Sequence, residues 1–196
     1  MNSDERRQKI IDAAIDVLLD KGVAAARMND FVDASGLSKG GVYHHFDSKE
    51  DLLIGVLNSF LDNNLSRIQM QVDKKQSAYQ QLKVLLHDHE ELMEEMGKYN
   101  QLFLDFFTQA RFLPRFRELM QYQYGLFHTL LVELIQLGIK QKEFKKSTDA
   151  YAIAAGLRGL FDGIGIALMI SPEKIDFPRY AIDSAMTLLE GIRNKK

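Results

Sequence analysis

Two histidines and an acidic run are the side chains of this sequence whose types could hold a metal ion. His87 and His89 lie two residues apart, so on a helix they would face opposite sides and could not share an ion. His87 and Glu91 are four residues apart and could share one, but two ligands are too few for a protein metal site. The glutamates over 90–95 are more simply a solvated helix face. We therefore predict no metal site and no catalytic residues.

The sequence contains no cysteine, which removes disulfides, thiolate metal sites and thiol nucleophiles together. No nucleophile, acid-base pair or metal cage stands out, so we expect neither an enzyme nor a bound cofactor. The N-terminus is charged, and we expect no stretch of the roughly 18 to 20 uncharged residues that cross a membrane. These features favour a cytoplasmic protein.

Charge gives little support to a nucleic-acid partner. The net charge is -2, and the first fifty residues hold seven Lys and Arg against nine Asp and Glu. Any contact with DNA must therefore depend on a few well-placed cations.

The elements that must position these side chains are predicted to be helices, because the chain has only three prolines and long apolar-periodic stretches. We expect an all-α fold without a sheet. Within the first fifty residues, Asn2 caps a helix that ends at Gly22, a second helix covers Arg27 to Ala34, and Ser38 caps a third that runs to about His45. Three short helices in so few residues indicate a head domain.

The remaining helices form a body. We predict a domain boundary that separates 1–47 from 48–196, with a long helix over about 48–72 connecting the two. Further helices are predicted to begin near Ser77, at Pro114, at Ser147 or Thr148, and at Asp176, and one is predicted to end at Gly97.

The segment Met28 to Leu52, MNDFVDASGLSKGGVYHHFDSKEDL, resembles the TetR/AcrR family of transcriptional regulators. The residues at the family's positions are Ser35, Gly36, Leu37, Ser38, Gly40, Tyr43, His45, Phe46, Lys49 and Leu52. The resemblance implies about nine helices: a three-helix helix-turn-helix head and a helical-bundle body. It also implies a homodimer that binds operator DNA and is released by a small molecule.

The resemblance also implies which head residues contact DNA. At the start of the recognition helix the implied DNA-binding residues are Ser38, Lys39, Gly40 and Gly41, of which the last three would face base edges and adjoining backbone. The residues implied to contact phosphates are Arg27, which stands near the family's usual threonine, Tyr43, His44 and Lys49. Two alternatives stay open: the lysines are ordinary surface residues, or the ring of Tyr43 packs in the head core.

The body offers more aromatic and thioether surface than a minimal bundle requires, and such side chains line apolar pockets. The candidate ligand-binding residues are His89, Met93, Met96, Phe103, Phe107, Met120, Gln123, Tyr124, Phe127, His128 and Phe161. Core packing is the alternative for each of them.

Small residues repeat at helical spacing in the last two predicted helices, where close packing would offset the cost of glycine. The candidate dimer-interface residues are Ala152, Gly156, Gly159, Gly163, Ala167, Ala181, Ala185, Leu188 and Ile192. The alternative is that both helices pack only on their own body.

Two functions are consistent with these features. The first is a repressor that binds a palindromic operator as a dimer and is released by a small apolar or amphipathic ligand. The alternative is a co-regulator of similar fold that binds a protein partner and not DNA. Salt-dependent DNA binding discriminates between them.

Overall fold

The structure, a computed structural model, describes residues 2–71, 77–96, 99–171, 173, 176 and 178–194. For residues 61–71, 88–96, 100, 169 and 178 it describes the backbone alone. Within these ranges the chain forms nine α-helices and no strand, as the composition predicts. The helices are α1 (Ser3–Ala25), α2 (Met28–Ser35), α3 (Lys39–Tyr43), α4 (Lys49–Gln71), α5 (Ala78–Met96), α6 (Asn100–Ala110), α7 (Pro114–Lys140), α8 (Ala150–Ile170) and α9 (Asp183–Ile192). A π-helical turn, Pro178–Ile182, precedes α9.

Local capping chemistry sets where several helices begin. The predicted capping box of α1 is confirmed: Glu5 N donates to Asn2 Oδ1, and Asn2 N donates to Glu5 Oε2, each at 2.8 Å. At the start of α5, Gln80 N donates to Ser77 Oγ at 3.1 Å. The predicted end of α5 at Gly97 lies outside the described residues.

The prediction that Ser147 or Thr148 caps α8 is wrong. Asp149 is the N-cap, and its carboxylate accepts from the amides of Tyr151 and Ala152 at 3.0 and 3.1 Å. All three residue types cap helices well, so the sequence alone does not choose among neighbours. Asp176 caps the π-helical turn before α9, since Arg179 N donates to its carboxylate at 3.1 Å.

The chain divides into two compact units. Unit 1 contains Met1–Ser66 and Gln101–Tyr122, and unit 2 contains Arg67–Asn100 and Gln123–Lys196. Unit 1 thus contains α1, α2, α3 and most of α4, together with nearly all of α6 and the first turns of α7. The domain boundary between 47 and 48 stays a prediction.

The core of unit 1 is built from the apolar faces of α1 to α4, together with those of α6 and the start of α7. The fully buried side chains include Ile10, Ile11, Phe31, Val42, Leu52, Leu53 and Val56. Each such burial contributes about 1.5 to 3 kcal/mol before the entropy of ordering is subtracted. This core fixes the short helix α3 to longer ones.

The core of unit 2 draws on α5, α7, α8 and α9 and includes Leu82, Ile135, Phe144, Leu157 and Leu189. A Cβ placed at Gly138 on α7 would overlap the ring of Phe144, so this glycine permits the close approach of the segment after α7. Asn194 fixes this segment in place, because its side-chain amide donates to the backbone carbonyls of Lys142 and Phe144.

Candidate nucleic-acid interface

The turn between α2 and α3 requires a glycine. Gly36 has φ +64° and ψ 17°, which is the left-handed conformation that other residues adopt only with strain. The buried Ser35 completes the turn: its hydroxyl donates to the carbonyl of Val32 at 2.9 Å and accepts from Leu37 N at 3.2 Å. The turn sets the angle between α2 and α3 by backbone geometry.

Recognition helix α3 begins at the predicted cap. Ser38 Oγ accepts from Gly41 N at 3.1 Å, and both Lys39 and Gly40 are exposed. A Cβ placed at Gly40 would meet no atom within 4 Å, whereas one at Gly41 would lie 3.3 Å from Ser38 Oγ. The N-terminal turn of α3 is therefore open at Gly40 to the approach of another molecule.

The other face of α3 is anchored. Val42 is fully buried, and Phe46, just beyond the helix, is 2% exposed. The ring of Phe46 lies so close to α4 that a Cβ at Gly55 would be 2.7 Å from its Cε1, and the Arg7 guanidinium lies 5.2 Å from its centroid. Aromatic burial between α1 and α4 thus makes α3 a rigid platform.

Tyr43 does not pack in the head core. Its side chain is 36% exposed, and the ammonium of Lys39 lies 5.7 Å from its ring centroid. His44, at the end of α3, is also exposed. The structure thus brings Lys39, Tyr43 and His44 to the exposed surface of one short helix.

The ammonium of Lys49 contacts the end of α1, a contact that the family resemblance does not imply. It donates to the carbonyl of Val23 at 2.5 Å and to that of Ala24 at 3.4 Å, so it satisfies the last carbonyls of α1. Burial lowers the pKa of this ammonium. In the free protein this charge is directed towards α1.

Arg27 is exposed just before α2, where it precedes a helix without a hydroxyl cap. Instead, the Asp30 carboxylate accepts from Arg27 N at 2.7 Å and pairs with the ammonium of Lys21 at 2.7 Å. The hydrogen bond from Lys21, followed by that from Arg27 N, lowers the pKa of Asp30. The acid in the first turn replaces the missing cap.

Within unit 1, the candidate ligand-binding residues differ in burial. Phe103 packs 5.4 Å from Phe60 and 6.2 Å from Phe106, between ring centroids, which is the core-packing alternative. Phe107 is 55% exposed, and Met120 is half-buried. The side chains of His89, Met93 and Met96 lie outside the described part of the chain.

Within unit 2, the side chain of Arg158 contacts two of the candidate ligand-binding residues. Its guanidinium lies 4.2 Å from the ring centroid of Tyr124 and 5.4 Å from that of Phe127, and it pairs with Asp162 at 3.2 Å. The other candidates in this unit are Phe161, which is 6% exposed, His128, which is half-buried, and Gln123, which is also half-buried.

Comparison with known proteins identifies the family. Residues 10–56 match the family of bacterial regulatory proteins named tetR, and residues 80–192 match the C-terminal domain of the BetI-type transcriptional repressors. The chain belongs to the TetR family. It is a TetR-family transcriptional regulator with an all-α, TetR-like fold.

Individual TetR-family members are similar over nearly the whole length. The HTH-type transcriptional regulator YfiR of Bacillus subtilis is 28% identical over 193 residues, 97% of this chain and 93% of the relative. The fatty acid metabolism regulator protein of the same organism is 24% identical over 190 residues, 95% of each chain. A TetR transcription regulator from Haloarcula marismortui has the same fold, with TM-score 0.87 at 19% identity over 97% of this chain and 100% of that one.

The face of α8 that carries the small residues is largely exposed to solvent in the single TetR-family chain. Of the predicted interface residues on this helix, Ala152 is exposed, and a Cβ at Gly159 or Gly163 would meet nothing within 4 Å. Gly156 is exposed as well, and Ala167 is half-buried. The stretch Ala150–Leu168 is long and apolar enough to cross a membrane by length and composition alone, although it contains Arg158 and Asp162, and only 17% of it is buried.

The predicted interface residues on and before α9 are less accessible. Leu188 and Ile192 are half-buried, and Leu188 Cδ2 lies 3.4 Å from a Cβ placed at Gly156. Ala181 and Ala185 have no exposed surface and belong to the core of unit 2. Their side chains are therefore not available to a second copy in this conformation.

Two polar residues with structural roles were not predicted from the sequence. Asp105 on α6 accepts from Val23 N at 3.0 Å, beside the kink at Gly22 where φ is +74°. No sequence signal links residues 82 positions apart. Arg158 was missed although its four-residue spacing to Asp162 is typical of a helix pair.

Among the side chains that the structure describes, no cluster of metal ligands is present. Within that part of the chain, no three His, Asp or Glu side chains lie close enough together to hold a metal ion. His89 and Glu91, two of the residues considered from the sequence, fall outside it.

Proposed function

We propose that this TetR-family regulator is a cytoplasmic repressor that binds a palindromic operator as a homodimer and is released by a small apolar or amphipathic ligand. The observation that carries the proposal is the exposed N-terminal turn of α3, with its open backbone at Gly40 and its cation at Lys39, on a platform held by Val42 and Phe46.

The proposed division of labour on DNA follows from position. Lys39 reads a base edge in the major groove while the backbone at Gly40 and Gly41 approaches closely. The phosphates are contacted by His44, Arg27 and the Tyr43 hydroxyl, which fix the register without reading sequence. Ser38 acts through the backbone, because its hydroxyl holds the first turn of α3 in place.

Lys49 has two competing partners in this proposal. Its ammonium holds the end of α1 in the free protein, and a phosphate near the amino end of α4 would compete for the same charge. We propose that Lys49 contributes to binding mainly by positioning α1 against α4.

The proposed dimer uses α8. Its apolar stretch is mostly unburied in the single chain, and a stripe of small side chains permits two helices to approach closely. The interface proposed from the sequence keeps Ala152, Gly156, Gly159, Gly163, Ala167, Leu188 and Ile192, and the buried Ala181 and Ala185 leave it.

The proposed ligand is apolar or amphipathic. Support comes from the aromatic side chains around Arg158 in unit 2, where Tyr124 and Phe127 offer apolar surface and the guanidinium offers a charge. The name of the Bacillus subtilis relative, a fatty acid metabolism regulator, fits a ligand with an acyl chain. The ligand favours the conformation that binds DNA less well, and its effect is limited by its difference in affinity for the two conformations.

The experiment that tests this proposal is DNA binding with Lys39→Ala. Sequences selected from a random pool by the wild-type protein define its preferred site. The variant is expected to lose about 1 to 3 kcal/mol on that site and to relax its preference at one base position. Equal loss on preferred and arbitrary sequences would contradict a base contact by Lys39, and no binding to any duplex would favour the co-regulator.

A further inference from the structure

An exposed basic surface lies at the junction of α6 and α7. Residues 110–117, here called the α6–α7 corner, contain three arginines and no acidic residue. Arg111, Arg115 and Arg117 are all exposed, and Phe112 between them is 65% exposed. The acidic residues next to the corner are Glu118 on α7 and the carboxylates of α4 described below. No role in the proposed function uses this surface.

The corner is fixed to the first turn of α4 inside unit 1. Phe116 N donates to Glu50 Oε1 at 3.2 Å, and Arg115 lies 3.5 Å from Asp51 Oδ1. The Phe116 side chain is fully buried and packs 5.2 Å from Phe106, between ring centroids. The arginines therefore stand on a rigid base.

This attachment limits the distance between the corner and the proposed DNA face. Glu50 follows Tyr43 by seven residues, so the chain between them spans at most about 25 Å. Half a turn of duplex is about 17 Å, from the spacing of about 34 Å per turn. A duplex in contact with α3 has phosphates within this range.

The head itself is short of positive charge. Its first fifty residues carry seven cationic side chains against nine acidic ones, and the ammonium of Lys49 is committed to α1 carbonyls. Affinity for DNA depends strongly on neutralised phosphates. Three arginines within unit 1 would supply the charge that the helix-turn-helix lacks.

The arginines suit phosphates in type and setting. A guanidinium forms paired hydrogen bonds with phosphate oxygens. The guanidinium of Arg111 lies 4.9 Å from the ring centroid of Phe112, which is a cation–π contact. Arg115 is 62% exposed in its side chain, and an exposed ion pair such as that with Asp51 is weak enough to exchange for a phosphate.

We propose that the α6–α7 corner is a second DNA contact, in which Arg111, Arg115 and Arg117 bind backbone phosphates beside the site read by α3. This inference rests on the proposed function. Because phosphate contacts carry no sequence information, the corner raises affinity for every duplex and leaves base preference to α3.

The test compares the full-length protein with the triple variant Arg111→Gln, Arg115→Gln, Arg117→Gln. Fluorescence anisotropy measures binding to a labelled duplex of arbitrary sequence, about 30 base pairs long to span two half-sites. Binding constants are taken between about 50 and about 200 mM salt. The matched control is the triple variant Lys140→Gln, Lys146→Gln, Arg179→Gln, which removes three exposed cations of unit 2, and circular dichroism checks that each variant is folded.

The triple variant is expected to bind more weakly and to show a flatter log-log salt dependence. The slope should fall by about two to three units, because each phosphate that an arginine no longer neutralises removes about 0.9. The control should match the wild type. The preferred-to-arbitrary affinity ratio should not change.

An unchanged slope in the triple variant, with the wild type binding normally, would overturn the inference and leave the proposed function intact. A loss confined to the preferred sequence would also overturn it, since the corner would then read bases. A wild-type protein that binds no duplex would remove the proposed function together with this inference.

Discussion

At the scale of single residues, the position of Lys49 was foreseeable from the sequence but its partners were not. The motif places a lysine at the start of α4, and family resemblance assigns it to a phosphate. The structure shows its ammonium on the carbonyls of Val23 and Ala24, which are backbone atoms invisible to any motif. The residue at α3 that the motif marks most clearly, Lys39, is exposed as expected.

This arrangement makes Lys49 a determinant of stability. Lys49→Met keeps the apolar stem and removes the donor, leaving the end of α1 without its partner. A typical hydrogen bond contributes about 0.5 to 1.5 kcal/mol, and the burial that lowers the pKa of this ammonium offsets the extra contribution of its charge, so we expect a loss of about 1 kcal/mol in the free energy of unfolding by urea. Lys39→Met, at an exposed position, is the control and should change stability by less than about 0.5 kcal/mol. Equal stability of the two variants would show that the bond to α1 contributes nothing.

At the scale of elements, the sequence predicts what is local. The caps at Asn2, Ser38 and Ser77 depend on neighbours three residues away, and all three are confirmed. The burial of Ala181 and Ala185 in the core of unit 2 could not be predicted from the sequence. Their spacing shows that the two side chains lie on the same face of a helix, but not whether that face packs on the core or on a second copy of the chain. Likewise, the hydrogen bond between α6 and α1 depends on the whole fold of unit 1.

The turn before α3 gives a paired prediction. Gly36→Ala forces a side chain into the left-handed conformation and should cost about 1 to 2 kcal/mol of stability. Gly40→Ala has open space and should be neutral or slightly stabilising, because alanine favours a helix. Both should weaken DNA binding, the first through the angle of the turn and the second through steric contact with DNA. Thermal unfolding and anisotropy measure the two effects, and a loss of stability in Gly40→Ala would contradict the exposed helix start.

A clasp between α5 and α9 gives a pH-dependent prediction. The Tyr79 hydroxyl donates to Glu190 at 2.5 Å and Arg193 donates to the same carboxylate at 3.0 Å, which together lower the pKa of Glu190 below its ordinary value of 4.5. A lowered pKa means that the stabilisation is present above about pH 4.5 and is lost as the pH falls through the folded-state pKa.

Glu190→Gln should therefore make the free energy of unfolding less dependent on pH below about 4.5 than in the wild type. Glu133→Gln, at an exposed position on α7, is the control. Urea unfolding across the acid range measures both, and parallel pH profiles for the wild type and Glu190→Gln would exclude the clasp as a source of stability.

For the molecule as a whole, the exposed apolar surface of α8 supports the proposed dimer. In the single chain Ile166 is 48% exposed and Ile170 is 75% exposed on this glycine-rich helix, and exposed apolar surface is a feature of interaction sites. Binding to a palindromic operator requires two recognition helices about 34 to 36 Å apart, or a multiple of it, to match the half-sites. The proposed twofold dimer would provide this spacing.

Gly159→Arg should break the dimer and spare the fold. A Cβ at this position meets nothing within 4 Å in the single chain, but the long charged side chain would stand in the proposed interface. Gly125→Arg, on an exposed part of α7 with equally open space, is the control. Sedimentation equilibrium should find a monomer for the first and a dimer for the second. A dimer in both would place the interface elsewhere.

The exposed turn of α3 is proposed to touch DNA, and the absence of cysteine from the sequence permits a direct measurement of this contact. A single cysteine at Gly40 reacts with a maleimide at a rate that depends on access, and a cysteine at Gly191 on α9 serves as the reference. With duplex from the region upstream of its own coding sequence at about 100 times each variant's own dissociation constant, alkylation of Gly40→Cys should slow by about 100-fold, while Gly191→Cys should react as before. Unchanged alkylation of Gly40→Cys under saturating duplex would contradict the account.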